Sequence, residues 1–226
     1  MKIGILESGN MGRALGARWA AAGHQVFFGG RDQAKTGAVA EFVGRGTQSG
    51  SLHEAAAFGD VLLHTTRDAM PSAMTSSPEA LTGKILIDLN NGPIPEGFAY
   101  PPIEQSFTER LQADSPQTRV VKAFNMFAME LFEHDAETIA EHQVAAFIAG
   151  DSDEAKATVS KLAADLGFTP VDAGPTRNAR LLESMGDFIR YLMIAQGMGP
   201  FTAISAVSLP ATEKQSLGGR HDSKFS

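Results

Sequence analysis

The residues best suited to chemistry lie in the first 35 positions. Ser8-Gly9-Asn10-Met11-Gly12 follows a short apolar run, Ile3, Ile5 and Leu6, and precedes an alanine-rich stretch. A glycine turn between a strand and a helix offers unpaired N–H groups and the positive end of the helix dipole to an anion. In the G-x-G-x-x-G pattern the second glycine lets the backbone approach a pyrophosphate, and the third lets helix and strand pack closely. Gly9 and Gly12 fill those two places. Glu7 stands where the first glycine, which makes the tight turn, is expected. Its carboxylate either repels a pyrophosphate or points away from it.

A second apolar run, Val26-Phe27-Phe28, ends in Gly29-Gly30-Arg31. An NAD enzyme usually carries Asp or Glu at that strand end, about 20 residues after the turn, to bind the ribose hydroxyls. Arg31 can instead fork onto a 2′-phosphate, and Lys35 can add a point charge. This ending favours NADP(H). The bland alternative is two surface charges near a helix start. Asp32 is a candidate displaced acid, but it lies past the expected position.

The surrounding elements are those needed to hold such a turn. The first helix spans about Met11 to Ala22 and stops at Gly23. Ala34 to Val43 reads as a helix, Gly44 to Gly50 as a glycine-rich connection with one short strand, and Ser51 as the cap of a short helix through Ala57. Strands follow at Val61 to Leu63, Lys84 to Asp88, Val120 to Phe124, Val144 to Ala149 and Thr169 to Val171. Pro93 to Pro102 is a proline-rich loop. Asp151 caps a helix whose apolar face is Ala155, Val159, Leu162 and Leu166. Alternating strands and helices imply an α/β, doubly wound parallel sheet of the Rossmann type with a C-terminal helical extension. The expected divisions are a dinucleotide-binding domain over 1–176, the extension over 177–209 and a polar tail over 210–226.

In such sheets ligands bind beyond the carboxyl ends of the strands. That rule singles out Thr65, Thr66 and Arg67, then Asn90 and Asn91, then Asn125. Each is also a common turn residue, but three polar clusters follow three strands. Asn178 to Gln196 reads as one long helix, apolar over much of its circumference and so buried on several sides, by the sheet or by a second copy.

Composition narrows the alternatives. With 19 basic and 26 acidic residues the formal net charge is −7, which argues against a general nucleic-acid binder. There are no cysteines, which excludes disulfides and thiolate chemistry. No apolar run approaches the ~20 residues of a membrane span, and Met1-Lys2 leads straight into the first strand without a secretory leader. A cytoplasmic protein without membrane or nucleic-acid partners is expected, most naturally a homodimer through the long helix. His53-Glu54 begins like a zinc-protease helix, but Ala57 stands at the second ligand position. No metal ligand is assigned. His64 reads as a structural histidine and Lys122 as a structural charge, so no catalytic residue is assigned either.

Several segments together resemble one family. They are Ser8-Gly9-Asn10-Met11-Gly12, Gly29-Gly30-Arg31 with Lys35, Val120-Val121-Lys122-Ala123-Phe124-Asn125, and Asp172-Ala173-Gly174-Pro175 followed by Asn178-Ala179-Arg180-Leu181-Leu182-Glu183. Gly197-Met198-Gly199 matches as well. The chain resembles the NADPH-dependent 8-hydroxy-5-deazaflavin reductases from about Met1 to Phe201. The resemblance implies that Ser8 to Met11 hold the pyrophosphate and that Gly30, Arg31 and Lys35 face the 2′-phosphate. It places Ala123 and Phe201 near the nicotinamide. Family members usually have Gly where Glu7 stands and often Ser where Gly30 stands. The Lys-Ala-Phe-Asn strand also resembles the reductase domain of membrane metalloreductases, which use a flavin. Three readings follow: hydride transfer between NADPH and a deazaflavin or flavin, reduction of a small imine or carbonyl, and a non-catalytic NADP sensor. In each enzymatic reading the partner is a small-molecule redox acceptor.

Overall fold

The computed structural model describes residues 1–66 and 69–210. Strands β1 (Lys2–Leu6), β2 (Gln25–Gly29), β3 (Gln48–Gly50), β4 (Val61–His64), β5 (Ile85–Asp88) and β6 (Arg119–Lys122) form one six-stranded sheet. All its pairings are parallel, in the order β3-β2-β1-β4-β5-β6. The order reverses between β1 and β4, which opens a crevice at their carboxyl ends. The register keeps those ends level: Gly29 pairs with Leu6, Leu6 with His64, His64 with Asp88 and Asp88 with Lys122. The residues just past each strand are therefore neighbours although far apart in sequence.

Helices α1 (Asn10–Ala21), α2 (Gln33–Val43), α3 (Leu52–Phe58), α4 (Pro71–Met74), α5 (Phe107–Asp114), α6 (Ala136–Glu141), α7 (Asp153–Ala164) and α8 (Ala179–Ile194) surround the sheet. Successive strand residues face opposite layers, and both layers are buried. Ile5, Phe28, Leu63, Ile87 and Val121 pack with Leu15, Trp19, Val159 and Leu162 on one face. Leu6, Phe27, Leu62, Leu86 and Val120 pack with Ala55 and Leu111 on the other. Trp19 ties α1 to α7: its indole N–H donates to Leu162 O at 3.1 Å, and its ring meets Phe124 edge-on.

Several elements differ from the sequence reading. β7 (Ala145–Ile148) and β8 (Thr169–Asp172) do not extend the parallel sheet. They pair with each other and are hydrogen-bonded to the end of β6 by an antiparallel bridge, Lys122 to Ala149. The cap of α7 is Ser152, whose hydroxyl accepts from Ala155 N; Asp151 instead accepts from Thr176 N and fixes the entry to α8. β6 stops at Lys122, and Phe124 takes a positive φ of 61°, which turns the chain out of the sheet. α4, α5 and α6 add to the elements read from sequence. α5 carries a reciprocal capping box, Ser106 with Glu109. Of the long helix, one side is buried through Leu182, Gly186 and Ile189, while Leu181, Phe188 and Ile194 are 63%, 56% and 58% exposed.

Trp19→Ala removes a fully buried ring and an inter-helix hydrogen bond. It is expected to cost about 3–5 kcal/mol, read as a lower urea midpoint at unchanged slope. A loss below about 1 kcal/mol would mean the α1–α7 contact is dispensable.

Candidate active site

The turn after β1 is built for an anion. Gly9 is the N-cap of α1 and no side chain caps it, so the first N–H groups of a twelve-residue helix are left to solvent or ligand. A Cβ on Gly9 would meet nothing within 4 Å, so its open face is available to a ligand. Gly12 is the opposite case: a Cβ there would lie 2.7 Å from Glu7 O and 2.9 Å from Ile5 Cγ2. It is glycine because helix and strand nearly touch. The Thr65 hydroxyl donates to Leu6 O at 3.0 Å and to Glu7 O at 2.6 Å, which anchors the turn to β4. Ser8 is buried, and Asn10 and Met11 begin the helix.

A polar cavity of about 360 Å³ opens beside the turn, lined by Glu7, Ser8, Gly30, Arg31, Asp32, Lys35 and Thr36. It brings together the residues read from sequence for the 2′-phosphate. A Cβ on Gly30 would press on Thr36 Cγ2 at 2.6 Å, so this edge of the cavity is closely packed. Asp32 caps α2 and accepts from Lys35 N at 3.1 Å. The Glu7 carboxylate points into this cavity and accepts from Arg31 Nε at 2.8 Å. The open glycine, the uncapped helix and the two cations fit a phosphorylated dinucleotide.

The other end of the crevice is apolar. Asn91, Asn125, Phe127 and Arg190 line both a smaller cavity of about 230 Å³, which also includes Met11 and Thr65, and one of about 340 Å³. Met126, Ala128, Glu130, Ile189, Met193, Ile194, Gly199 and Pro200 complete the larger one. Asn125 Nδ2 donates to Asn91 Oδ1 at 2.8 Å and to Leu182 O at 2.7 Å; Asn91 Nδ2 donates to Asn125 O. Gly186 lets α8 rest on this pair, since a Cβ there would lie 2.6 Å from Asn91 Oδ1. Asn125 Oδ1 is buried and has no hydrogen-bond partner among the described residues. Arg190 is held by Gly92 O at 2.8 Å, by Asp187 and by the Tyr100 ring.

Beneath the two asparagines lies a buried charge network. Lys122 Nζ donates to Asp88 Oδ2 at 3.0 Å, to Glu183 Oε1 at 3.0 Å and to Asn90 O. Burial works against the Asp88 carboxylate, yet Lys122, the Asn90 N–H and the Thr108 hydroxyl together hold it below the ordinary value. Glu183 is pushed up by burial, with Lys122 opposing. Burial lowers His64, whose ring meets Ala69 O at 3.0 Å and Asn90 Nδ2 at 3.1 Å. Asn90 lines the smaller cavity, with its side-chain amide turned to His64 and Asp88. Further along α8, the Arg180 guanidinium holds Glu109 down to about 2 and ties α8 to α5.

Of the residues singled out by sequence, Ser8 to Gly12, Gly30, Arg31 and Lys35 gather at one end, and Asn91 and Asn125 at the other. Thr65 lies between, followed along β4's end by Thr66. Ala123 is fully buried after β6. Arg67 lies outside the described residues, as do residues 211–226 of the tail. Phe201 packs on His134 and lines a separate cavity of about 350 Å³ with His142 and Ser205. Sequence reasoning missed Glu183 and Arg190. A lone Glu inside an apolar helix and a lone Lys inside an apolar strand are the signal that could have paired Glu183 with Lys122.

Lys122→Met would leave two buried carboxylates facing each other without a cation. It is expected to destabilise the fold by about 3–5 kcal/mol in urea unfolding followed by circular dichroism. Adding Glu183→Gln should recover part of the loss. No recovery would show that Glu183 is neutral without Lys122.

Residues 2–92 match the family model described as NADP oxidoreductase, coenzyme F420-dependent. Metalloreductase STEAP3 of Rattus norvegicus is 33% identical over 187 residues, 81% of this chain and 36% of that protein. Metalloreductase STEAP2 of Homo sapiens is 27% identical over 81% of this chain. The chain spans about a third of the length of these curated relatives. A crystal structure named as an F420-dependent NADP-reductase from Arthrobacter sp. FB24 superposes with a TM-score of 0.77 and 25% identity, over 92% of this chain and all of that one. An imine reductase from Myxococcus stipitatus in complex with NADP+ shares the fold at a TM-score of 0.64 and 15% identity, over 87% of this chain and 62% of that one. Among the described residues no helix is long and apolar enough to cross a membrane. Residues 2–92 are thus similar to NADP oxidoreductases, and the chain as a whole shares the fold of the NADP-reductase structure it superposes on.

Proposed function

We propose that this protein transfers a hydride between NADPH and a flat deazaflavin or flavin acceptor. The observation that carries this reading is the division of one crevice into a polar end, where Arg31 and Lys35 lie beside Glu7 and Asp32, and an apolar end beside Asn91 and Asn125. NADPH supplies the hydride when bound. The chain's own tasks are to hold and to exclude. The α1 N-terminus and Gly9 hold the pyrophosphate, and Arg31 and Lys35 hold the 2′-phosphate. Phe127, Ile189, Met193 and Ile194 exclude water around the acceptor ring. Hydride transfer between stacked rings needs orientation more than acid–base help. This accords with a cavity whose ionisable lining is Glu130 and Arg190 alone.

A second reading, reduction of a small imine or carbonyl, is favoured by the fold likeness to imine reductases and to a reductive aminase from Aspergillus terreus in complex with NADPH. One assay separates the two. NADPH oxidation is followed with a deazaflavin, with riboflavin and with a cyclic imine. Turnover of the first or second supports ring-to-ring transfer, and turnover of the imine alone overturns it. Arg31→Ala is expected to weaken NADPH about 10–100-fold while changing NADH far less. Equal loss of both would remove Arg31 from the 2′-phosphate site.

The same proposal includes a homodimer through α8. Leu181 and Phe188, seven residues apart on one helix face, leave apolar side chains in water. Sedimentation at micromolar protein should give a dimer that Phe188→Asp converts to monomer. A monomer in both cases would end the proposal.

A further inference from the structure

Glu7 enters the polar cavity from the end of β1, but it acts at the end of β2. Its N–H donates to Gly29 O at 3.1 Å, which sets it against the last residue of that strand. Its φ of 74° lies in the left-handed region that favours glycine. Its carboxylate accepts from Arg31 Nε at 2.8 Å, and Oε2 lies 3.8 Å from where a Cβ on Gly30 would stand. The cavity thus holds two groups of opposite use. A guanidinium recognises a phosphate dianion; a carboxylate recognises vicinal hydroxyls. β2 ends without an acid, and Asp32 is engaged as the α2 cap. Glu7 is the carboxylate left to serve a ribose.

Resting on the reading that the β1–α1 turn holds a dinucleotide, we propose that Glu7 is a specificity-determining residue. Its carboxylate receives the ribose hydroxyls of NADH and competes with the 2′-phosphate of NADPH for Arg31. Arg31 is 84% exposed, so the pair is weak and a phosphate can displace it. The displaced carboxylate then stays beside a dianion, and the like charges repel. NADPH and NADH therefore bind with affinities within about tenfold of each other, a narrower gap than Arg31 and Lys35 alone would set.

The test uses the full chain with Glu7→Gln, which keeps size and backbone, and with Glu7→Gly, which removes the restriction at positive φ. Each is titrated calorimetrically with NADPH, NADH, 2′,5′-ADP and 5′-AMP. Both variants are expected to bind NADPH and 2′,5′-ADP about tenfold tighter and NADH and 5′-AMP no tighter, so the NADPH-to-NADH ratio widens. Equal tightening of all four would place the repulsion at the 5′-phosphate and overturn the proposal. An unchanged ratio, with NADPH still bound, would overturn it too and leave the dinucleotide reading standing. No binding of any dinucleotide to wild type or variants would remove both.

Discussion

A buried lysine ammonium is the constraint on which the apolar end of the crevice depends. Lys122 is fully buried at the carboxyl end of β6. Stripping water from such an ion costs several kcal/mol, and that cost is offset only by close partners of good geometry. Three elements supply them: Asp88 from β5, the carbonyl of Asn90 just beyond it, and Glu183 from α8. The network therefore dictates where α8 lies. Once Glu183 is at Lys122, Gly186 one turn later rests on the Asn91–Asn125 pair, and Ile189, Arg190 and Met193 form the next stretch of wall. The apolar cavity is a consequence of satisfying a charge beneath it.

The opposite end is governed by backbone rather than by burial. A parallel sheet in level register brings residues 7, 30 and 65 to one edge, whatever their side chains. Glu7 takes a left-handed conformation there at about 1–2 kcal/mol above an ordinary one. Two contacts hold it: its N–H on Gly29 O and its carbonyl under the Thr65 hydroxyl. The turn thus keeps the shape a glycine would give while carrying a charge that a glycine would not.

Much of this was legible in the sequence because much of it is local. The β1–α1–β2 unit, the Ser51 cap and the Ala155-Val159-Leu162 face follow from periodicity and capping within a few residues of each other. α5 is absent from the sequence reading, although Ser106 and Glu109 carry a capping box within four residues. The rest depends on pairs that no local pattern links. Lys122 and Glu183 are 61 positions apart, and Glu7 and Arg31 are 24 apart. β7 and β8 have strand-like composition, but composition does not say which sheet a strand joins. The long α8 was readable as apolar over much of its circumference. Its division into a buried and an exposed side was not, because that depends on where Glu183 is pinned.

On the proposed function, the two ends of the crevice discriminate by different physics. At the dinucleotide end the deciding groups are charges near water, where each interaction is weak, screened by salt and replaceable one residue at a time. At the apolar end the deciding surface is close-packed and rests on a buried network in which a single change costs about 3–5 kcal/mol. Donor preference is thus the easier of the two to move by a single substitution, and Glu7 beside Arg31 is such a point. Acceptor shape is the harder, because a change in the wall formed by α8 must also satisfy Lys122. A fold arranged this way can keep one acceptor site while its choice between NADPH and NADH shifts.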